Sequence, residues 1–298
     1  VFFFQSMTFT MLAFELIAWV ALFISPAAVR GFTFLPPPGP STSSQTSSPL
    51  LANTRLHAKK YGNTYGGDPL YVQIEDPSYD GWRLDPVIDL IKQGAVGVIP
   101  TDTSYAFVCD VHNTNGVERM MRLKHAESVK KPLALLCKDI SMISKYTKST
   151  DKTVFKLLKQ CFPGPYTLIM SASPEVPKGF VESKTHRRLW KRREVGVRVP
   201  DQEVCSLILS ELDDPLLCSS VPSSKEEYNM PSYIHREASS IMEAWYNQVD
   251  FVVDCGPIPA DFKFSTVVDL TLPEPAVLRE GSGPLAPFEP FLAAAAPQ

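Results

Sequence analysis

Apolar residues recur at helical spacing in several stretches of this chain and gather into short runs between them. Over Asp85–Lys92, Val87, Ile88, Leu90 and Ile91 give an apolar face, and Gly94 follows as a stop. Residues 115–127 repeat the pattern with Val117, Met120, Met121 and Leu123. Helices are also predicted over Ile140–Tyr146, Lys152–Cys161 and 233–246, and Asp201 is placed to cap one running through Leu212. The compact apolar runs at 95–99, 133–137, 166–170, 196–199, 216–219, 251–253, 266–270 and 276–278 read as strands. Phe162-Pro163-Gly164-Pro165 must break the chain between a helix and the strand after it. Strands alternate with helices and then crowd together near the end. This predicts an α/β fold: one domain with a twisted mixed sheet flanked by helices.

The run at 95–99 leads into the most polar strand ending in the chain. Pro100 removes a backbone donor, so regular pairing should stop there. Thr101, Asp102, Thr103, Ser104 and Tyr105 follow directly. Hydroxyls and a carboxylate at the end of a buried strand can hold a small polar ligand. They can equally close a turn by bonding the local backbone, and spacing alone leaves both readings open.

Composition changes this picture mainly at the N-terminus. The formal net charge of −3 over 298 residues gives no sign of a protein that coats polyanions over its whole surface. None of the six cysteines forms a C-x-x-C pair, and most lie in or beside apolar runs, so they read as buried free thiols. His112, His125 and His235 stand apart along the chain and read as structural or exposed. Asp250 and Asp254 read as a strand edge rather than a metal pair, and no metal site is expected. Residues 11–29 are largely apolar, but the unbroken run 16–24 suits a signal-peptide core better than a membrane span. From Phe32 to Gly67 there is no acidic residue, and Ser, Thr and Pro dominate. A signal-like piece joined to a transit-like piece resembles the bipartite plastid presequence of algae with complex plastids, with Phe32 as the aromatic after the cleavage site. A mitochondrial address is the alternative. Residues 1–67 are thus expected to be a presequence, 68–288 the folded domain and 289–298 a disordered tail, with no stable membrane association.

Six short stretches, taken in order, resemble the YrdC-like family that holds the L-threonylcarbamoyladenylate synthases and the YciO proteins. They are Pro100-Thr101-Asp102-Thr103-Ser104-Tyr105, Lys131-Pro132-Leu133, Pro163-Gly164-Pro165-Tyr166-Thr167-Leu168, Val195-Gly196-Val197-Arg198-Val199-Pro200, Ser265-Thr266-Val267-Val268-Asp269-Leu270 and Leu278-Arg279-Glu280-Gly281. The first and last look most like the YciO branch. Synthases of this family join threonine, bicarbonate and ATP, with Mg²⁺ riding on the nucleotide, for the t6A base of tRNA. The resemblance implies a substrate pocket at Thr101, Thr103 and Tyr105. It implies phosphate contacts at Lys124, Arg198, Ser220, Ser265, Thr266 and Arg279. Two departures stand out. The family's Lys-x-Arg is Lys124-His125-Ala126 here, and its Ser-x-Asn is Ser220-Val221-Pro222. Each lost contact is worth roughly 1.5–3 kcal/mol, so together they would cost about two to four orders of magnitude in turnover, which Lys130 or Lys131 would offset in part.

Lys184, Arg187, Arg188, Lys191, Arg192 and Arg193 crowd into one ten-residue stretch around Trp190. Such a stretch is either a solvated insertion or a phosphate grip. The family is associated with double-stranded RNA, which favours the grip. The expected function is therefore a YciO-type protein binding double-stranded RNA or tRNA, or nucleotide, in a basic cleft. The alternative is an active synthase taking threonine and ATP.

Overall fold

A computed structural model describes residues 67–123, 133–148, 151–177, 194–222 and 234–292. The strands among them are β1 (Leu70–Gln73), β2 (Gly97–Ile99), β3 (Ala106–Asp110), β4 (Ala134–Leu136), β5 (Tyr166–Ser171), β6 (Glu194–Arg198), β7 (Leu216–Ser220), β8 (Phe251–Asp254), β9 (Thr266–Asp269) and β10 (Ala276–Arg279). The helices are α1 (Pro77–Asp80), α2 (Asp85–Lys92), α3 (Thr114–Leu123), α4 (Ile140–Tyr146), α5 (Lys152–Cys161), α6 (Glu203–Ser210), α7 (Ala238–Trp245) and α8 (Glu289–Leu292), with 3₁₀ turns at Gly81–Leu84 and Ala286–Phe288.

All ten described strands pair into one sheet, in the order β1-β8-β2-β3-β7-β4-β6-β5-β9-β10. β8 runs parallel to β1 and β2, while β3 runs antiparallel to both β2 and β7. The expected mixed sheet is therefore present. Its central strands alternate between two cores, as a period of two requires. Val98, Phe107, Cys109 and Val252 face the core shared with α3, α4, α5 and α7. Ile99, Ala106, Val108, Phe251 and Val253 face the core shared with α2 and α6. Both faces are covered, which is why these strands read as unbroken apolar runs.

One half-buried ion pair clips the first core to the sheet. Arg119 on α3 grips Asp250 through both terminal nitrogens, at 2.6 and 3.2 Å, and also donates to the Gln248 carbonyl at 3.1 Å. Asp250 takes a further bond from the Val96 N–H at 2.8 Å. Asp250 and Asp254 stand at the two ends of β8, which lies inside the sheet between β1 and β2.

Several boundaries differ from expectation. β1 and β3 are strands that the apolar pattern did not single out. α6 is capped by the Gln202 side chain rather than by Asp201, and α7 begins at Ala238 rather than at 233. The chain turns through 286–288, burying Phe288 completely beside Tyr166, and the first residues of the expected tail, Glu289–Leu292, form a helix. All six cysteines are free thiols, five of them buried.

Candidate functional site

The site begins at the 100–105 turn, between antiparallel β2 and β3. Thr101 Oγ donates to the Ser104 carbonyl at 2.6 Å and accepts the N–H groups of Ser104 and Thr103, at 3.2 and 3.4 Å. Its hydroxyl closes the turn, so the backbone-bonding reading holds for Thr101. A cavity of about 510 Å³ opens beside this turn. One wall is the 100–105 run. The other is the loop from Cys255 to Lys263, with Gln202 and Ser282 completing the rim.

Asp102 and Thr103 line the cavity and also hold Arg198. The Arg198 guanidinium donates to Asp102 Oδ1 at 2.7 Å and to Thr103 Oγ at 3.0 Å. Asp102 Oδ2 accepts the Asp201 N–H at 3.3 Å. Asp102 therefore neither caps the local turn nor stands free for an ammonium group. It is paired across the sheet to β6. Arg198 is 6 % exposed, and its Nε has no hydrogen-bond partner among the described residues.

A second guanidinium approaches from β10. Arg279 donates to the Ser265 carbonyl from Nε at 3.1 Å and from a terminal nitrogen at 2.9 Å, with Ser265 Oγ at 3.2 Å from that nitrogen. Its head lies over the Phe264 ring, 5.0 Å from the centroid, while much of the side chain stays open to solvent. Desolvation of the head, and then repulsion from Arg198, lower the Arg279 pKa from its ordinary value. Ser265 Oγ also bonds Thr167 Oγ at 2.8 Å. Arg198 with Thr103 and Asp102, and Arg279 with Ser265, give two cations, two hydroxyls and one carboxylate, a composition suited to an anion cradle.

Two residues expected to touch ligand serve the scaffold instead. Thr266 is fully buried; its hydroxyl donates to the Gly283 carbonyl at 2.6 Å and accepts the Gly281 N–H at 3.0 Å. It cannot reach a phosphate. It ties β9 to the 281–283 turn, where a Cβ at Gly281 would lie 2.1 Å from the Phe264 carbonyl oxygen. Tyr105 lines the cavity but is 1 % exposed. Its hydroxyl donates to the Gly256 carbonyl at 2.7 Å, accepts the Cys255 N–H at 3.1 Å and lies 3.2 Å from Asp254 Oδ1. Burial first, and the Asp254 carboxylate besides, raise its pKa, so the phenol stays protonated. Tyr105 clamps the opposite wall rather than a substrate.

Ser220, at the end of β7, is half-buried beside the turn, its backbone register opposite Ala106. Lys124, His125, Lys130 and Lys131 lie outside the described residues, as do Lys184, Arg187, Arg188, Lys191, Arg192 and Arg193. Cys255 sits on the cavity wall, but burial and Asp254 push its thiol up to about 12, so it is a poor nucleophile. His112 is not isolated: its Nε2 lies 2.7 Å from the Tyr146 hydroxyl, which bonds Asp214. Among the described residues no cluster of three or more His, Cys, Asp or Glu could hold a metal ion. Gln202, Lys263 and the Tyr105 clamp were missed from sequence. The Gly256-Pro257-Ile258-Pro259 run was a legible loop signal, but nothing local says that it faces residue 101.

Comparison with known proteins settles the lineage. Residues 89–281 match the model of the Sua5, YciO and YrdC proteins, which carries the description "Telomere recombination". The chain belongs to this family. It is 31 % identical over 218 residues to a protein of Haemophilus influenzae and 30 % identical over 218 residues to YciO of Escherichia coli. In each case the match covers 73 % of this chain and 97 % of the relative. A threonylcarbamoyl-AMP synthase of Mus musculus is 29 % identical over 209 residues, covering 68 % of each chain. The crystal structure of E. coli YciO superposes with a TM-score of 0.62 at 29 % identity, over 74 % of this chain and 98 % of that one. Sua5 of Pyrococcus abyssi, solved in complex with L-threonine, shares the fold with a TM-score of 0.61 at 22 % identity, covering 75 % of this chain and 60 % of that one. No helix among the described residues is long and apolar enough to cross a membrane. The apolar stretch 11–29 lies outside them.

Proposed function

We propose that the cleft binds the phosphates of a nucleotide or of a duplex RNA backbone, as a YciO-type protein rather than an efficient synthase. The observation that carries this reading is Arg198: it is buried beside the cavity-lining Asp102 and Thr103, and its Nε has no hydrogen-bond partner among the described residues. An anion bound there would satisfy that donor and relieve the repulsion that helps lower the Arg279 pKa. Thr103 supplies a hydroxyl beside Arg198, and Ser265 one beside Arg279. The adjoining cavity has room for the rest of a nucleotide or for a small amino acid. Mg²⁺ enters with ATP, held by the phosphates. Lys184, Arg187, Arg188, Lys191, Arg192 and Arg193 extend the grip to double-stranded RNA by sequence-independent phosphate contact.

The second reading, a threonylcarbamoyl-AMP synthase, is favoured by the murine relative's name and by the Thr103–Arg198 contact beside the cavity. Against it stand Ala126 and Pro222, which cannot donate the bonds that the family's Arg and Asn make. The test incubates the full chain with threonine, bicarbonate, Mg²⁺ and labelled ATP beside an active family member. The expected result is saturable ATP binding with little or no pyrophosphate. Threonine-dependent pyrophosphate at the control's rate makes the protein a synthase. Absence of ATP, phosphate and duplex RNA binding together would overturn the anion cradle.

A further inference from the structure

Tyr79 is 81 % exposed and Trp82 68 % exposed, three residues apart on α1 and the 3₁₀ turn after it. Leu207 on α6, also exposed, lies beside them: a Cβ built on Gly81 would sit 3.8 Å from its Cδ1. The fold does not use these side chains. From the same stretch it buries Leu84 and Val87 instead, at 1 % and 0 % exposure. Single exposed apolar residues are ordinary, but a Tyr, a Trp and a Leu side by side form a patch that water covers poorly.

The rim of this patch is acidic. Between residues 68 and 93 stand Asp68, Glu75, Asp76, Asp80, Asp85 and Asp89, against only Arg83 and Lys92. Glu203 adds an exposed carboxylate from the first turn of α6. Arg83 shows what the surface attracts. It pairs with Asp80 at 3.5 Å, donates to the Gln73 carbonyl at 3.3 Å and places its guanidinium carbon 5.7 Å from the centre of the Trp82 ring.

We propose that this face docks a lysine- or arginine-rich segment of a partner protein. The partner's aliphatic stems cover Trp82 and Tyr79, and its charged ends meet the ring faces and Asp85, Asp89 and Glu203. Nucleic acid and anionic lipid are repelled by this rim. A two-fold pairing of the patch with its own copy would set acidic rim against acidic rim. Three side chains offer far less than the ~800 Å² per partner of a standard stable complex, so the contact is reversible and salt-sensitive.

The test titrates the full chain into fluorescein-labelled octa-arginine and follows anisotropy at two salt concentrations. Saturable binding that weakens with salt is expected. Joint Tyr79→Ala and Trp82→Ala substitution leaves the charge unchanged and should weaken it about tenfold. Asp85→Asn with Asp89→Asn and Glu203→Gln should weaken it similarly. Unchanged melting curves confirm that these exposed substitutions leave the fold intact. Equal affinity of the aromatic double variant would overturn the proposal, because the peptide would then be following net charge alone. Sedimentation showing self-association of the wild type that Trp82→Ala abolishes would also overturn it, in favour of a second copy as occupant.

Discussion

Arg119 is half-buried and Arg198 buried, and both face a buried or nearly buried aspartate side chain, yet they do opposite things. Arg119 meets Asp250 with two nitrogens, spends its remaining reach on a carbonyl, and Asp250 takes a backbone N–H as well. That pair locks a helix to a strand. Arg198 touches Asp102 at one point, leaves Nε without a partner among the described residues, and repels a second arginine. A buried charge is costly unless it is saturated. An under-saturated one therefore marks where an incoming group completes the set. Residue type does not separate structural from ligand-binding arginines here; the count of satisfied donors does.

The sharpest way to break this contrast is to remove Arg119. Arg119→Ala removes the ion pair from the buried Asp250 carboxylate and should cost roughly 3–5 kcal/mol in urea unfolding, with nucleotide affinity unchanged while the protein stays folded. A loss below about 1 kcal/mol would place this pair among weak surface bridges and dissolve the comparison. Arg279→Gln should do the reverse. Stability should hold or rise slightly as repulsion on Arg198 is relieved, while affinity for ATP or inorganic phosphate falls about tenfold or more. Thermal stabilisation by added phosphate should vanish with it. If affinity is kept, the cradle lies elsewhere. An effect of comparable size is expected of Tyr105→Phe. It strands the Cys255 N–H and the Gly256 carbonyl and should cost about 1–3 kcal/mol. It should also loosen the cavity wall, read as faster alkylation of Cys255 at constant pH. Unchanged Cys255 labelling would mean that the loop is held without the clamp.

Sequence reading found most helices because their apolar stripes are local. It missed β3 because Ala106-Phe107-Val108-Cys109-Asp110 follows directly on the polar run that drew attention, and two faces of burial erase alternation. It missed β1 because an edge strand of four residues, with Tyr71 and Gln73 exposed, carries little apolar signal. At the site, Arg198 lies on Asp102 and Thr103, and Arg279 on Ser265. Thr101, Thr266 and Tyr105 kept their positions but changed roles, because whether a hydroxyl is free depends on which backbone groups reach it. The Asp102–Arg198 bond joins residues 96 apart in the chain, and the Tyr105–Gly256 bond residues 151 apart. No local pattern reports either.

The strand order has a kinetic side. β2 cannot gain its parallel neighbour, nor Val96 its bond to Asp250, until the chain has passed residue 250, which lies 154 positions downstream of Val96. Long-range closures of this kind slow folding, since loop entropy is lost before any contact repays it. The 100–105 turn emerges early from the ribosome, but the loop that faces it and the arginine that completes the cradle come near the end. The cleft is therefore the last part of the molecule to exist, and a chain cut short before β8 would have one wall and nothing to hold against it.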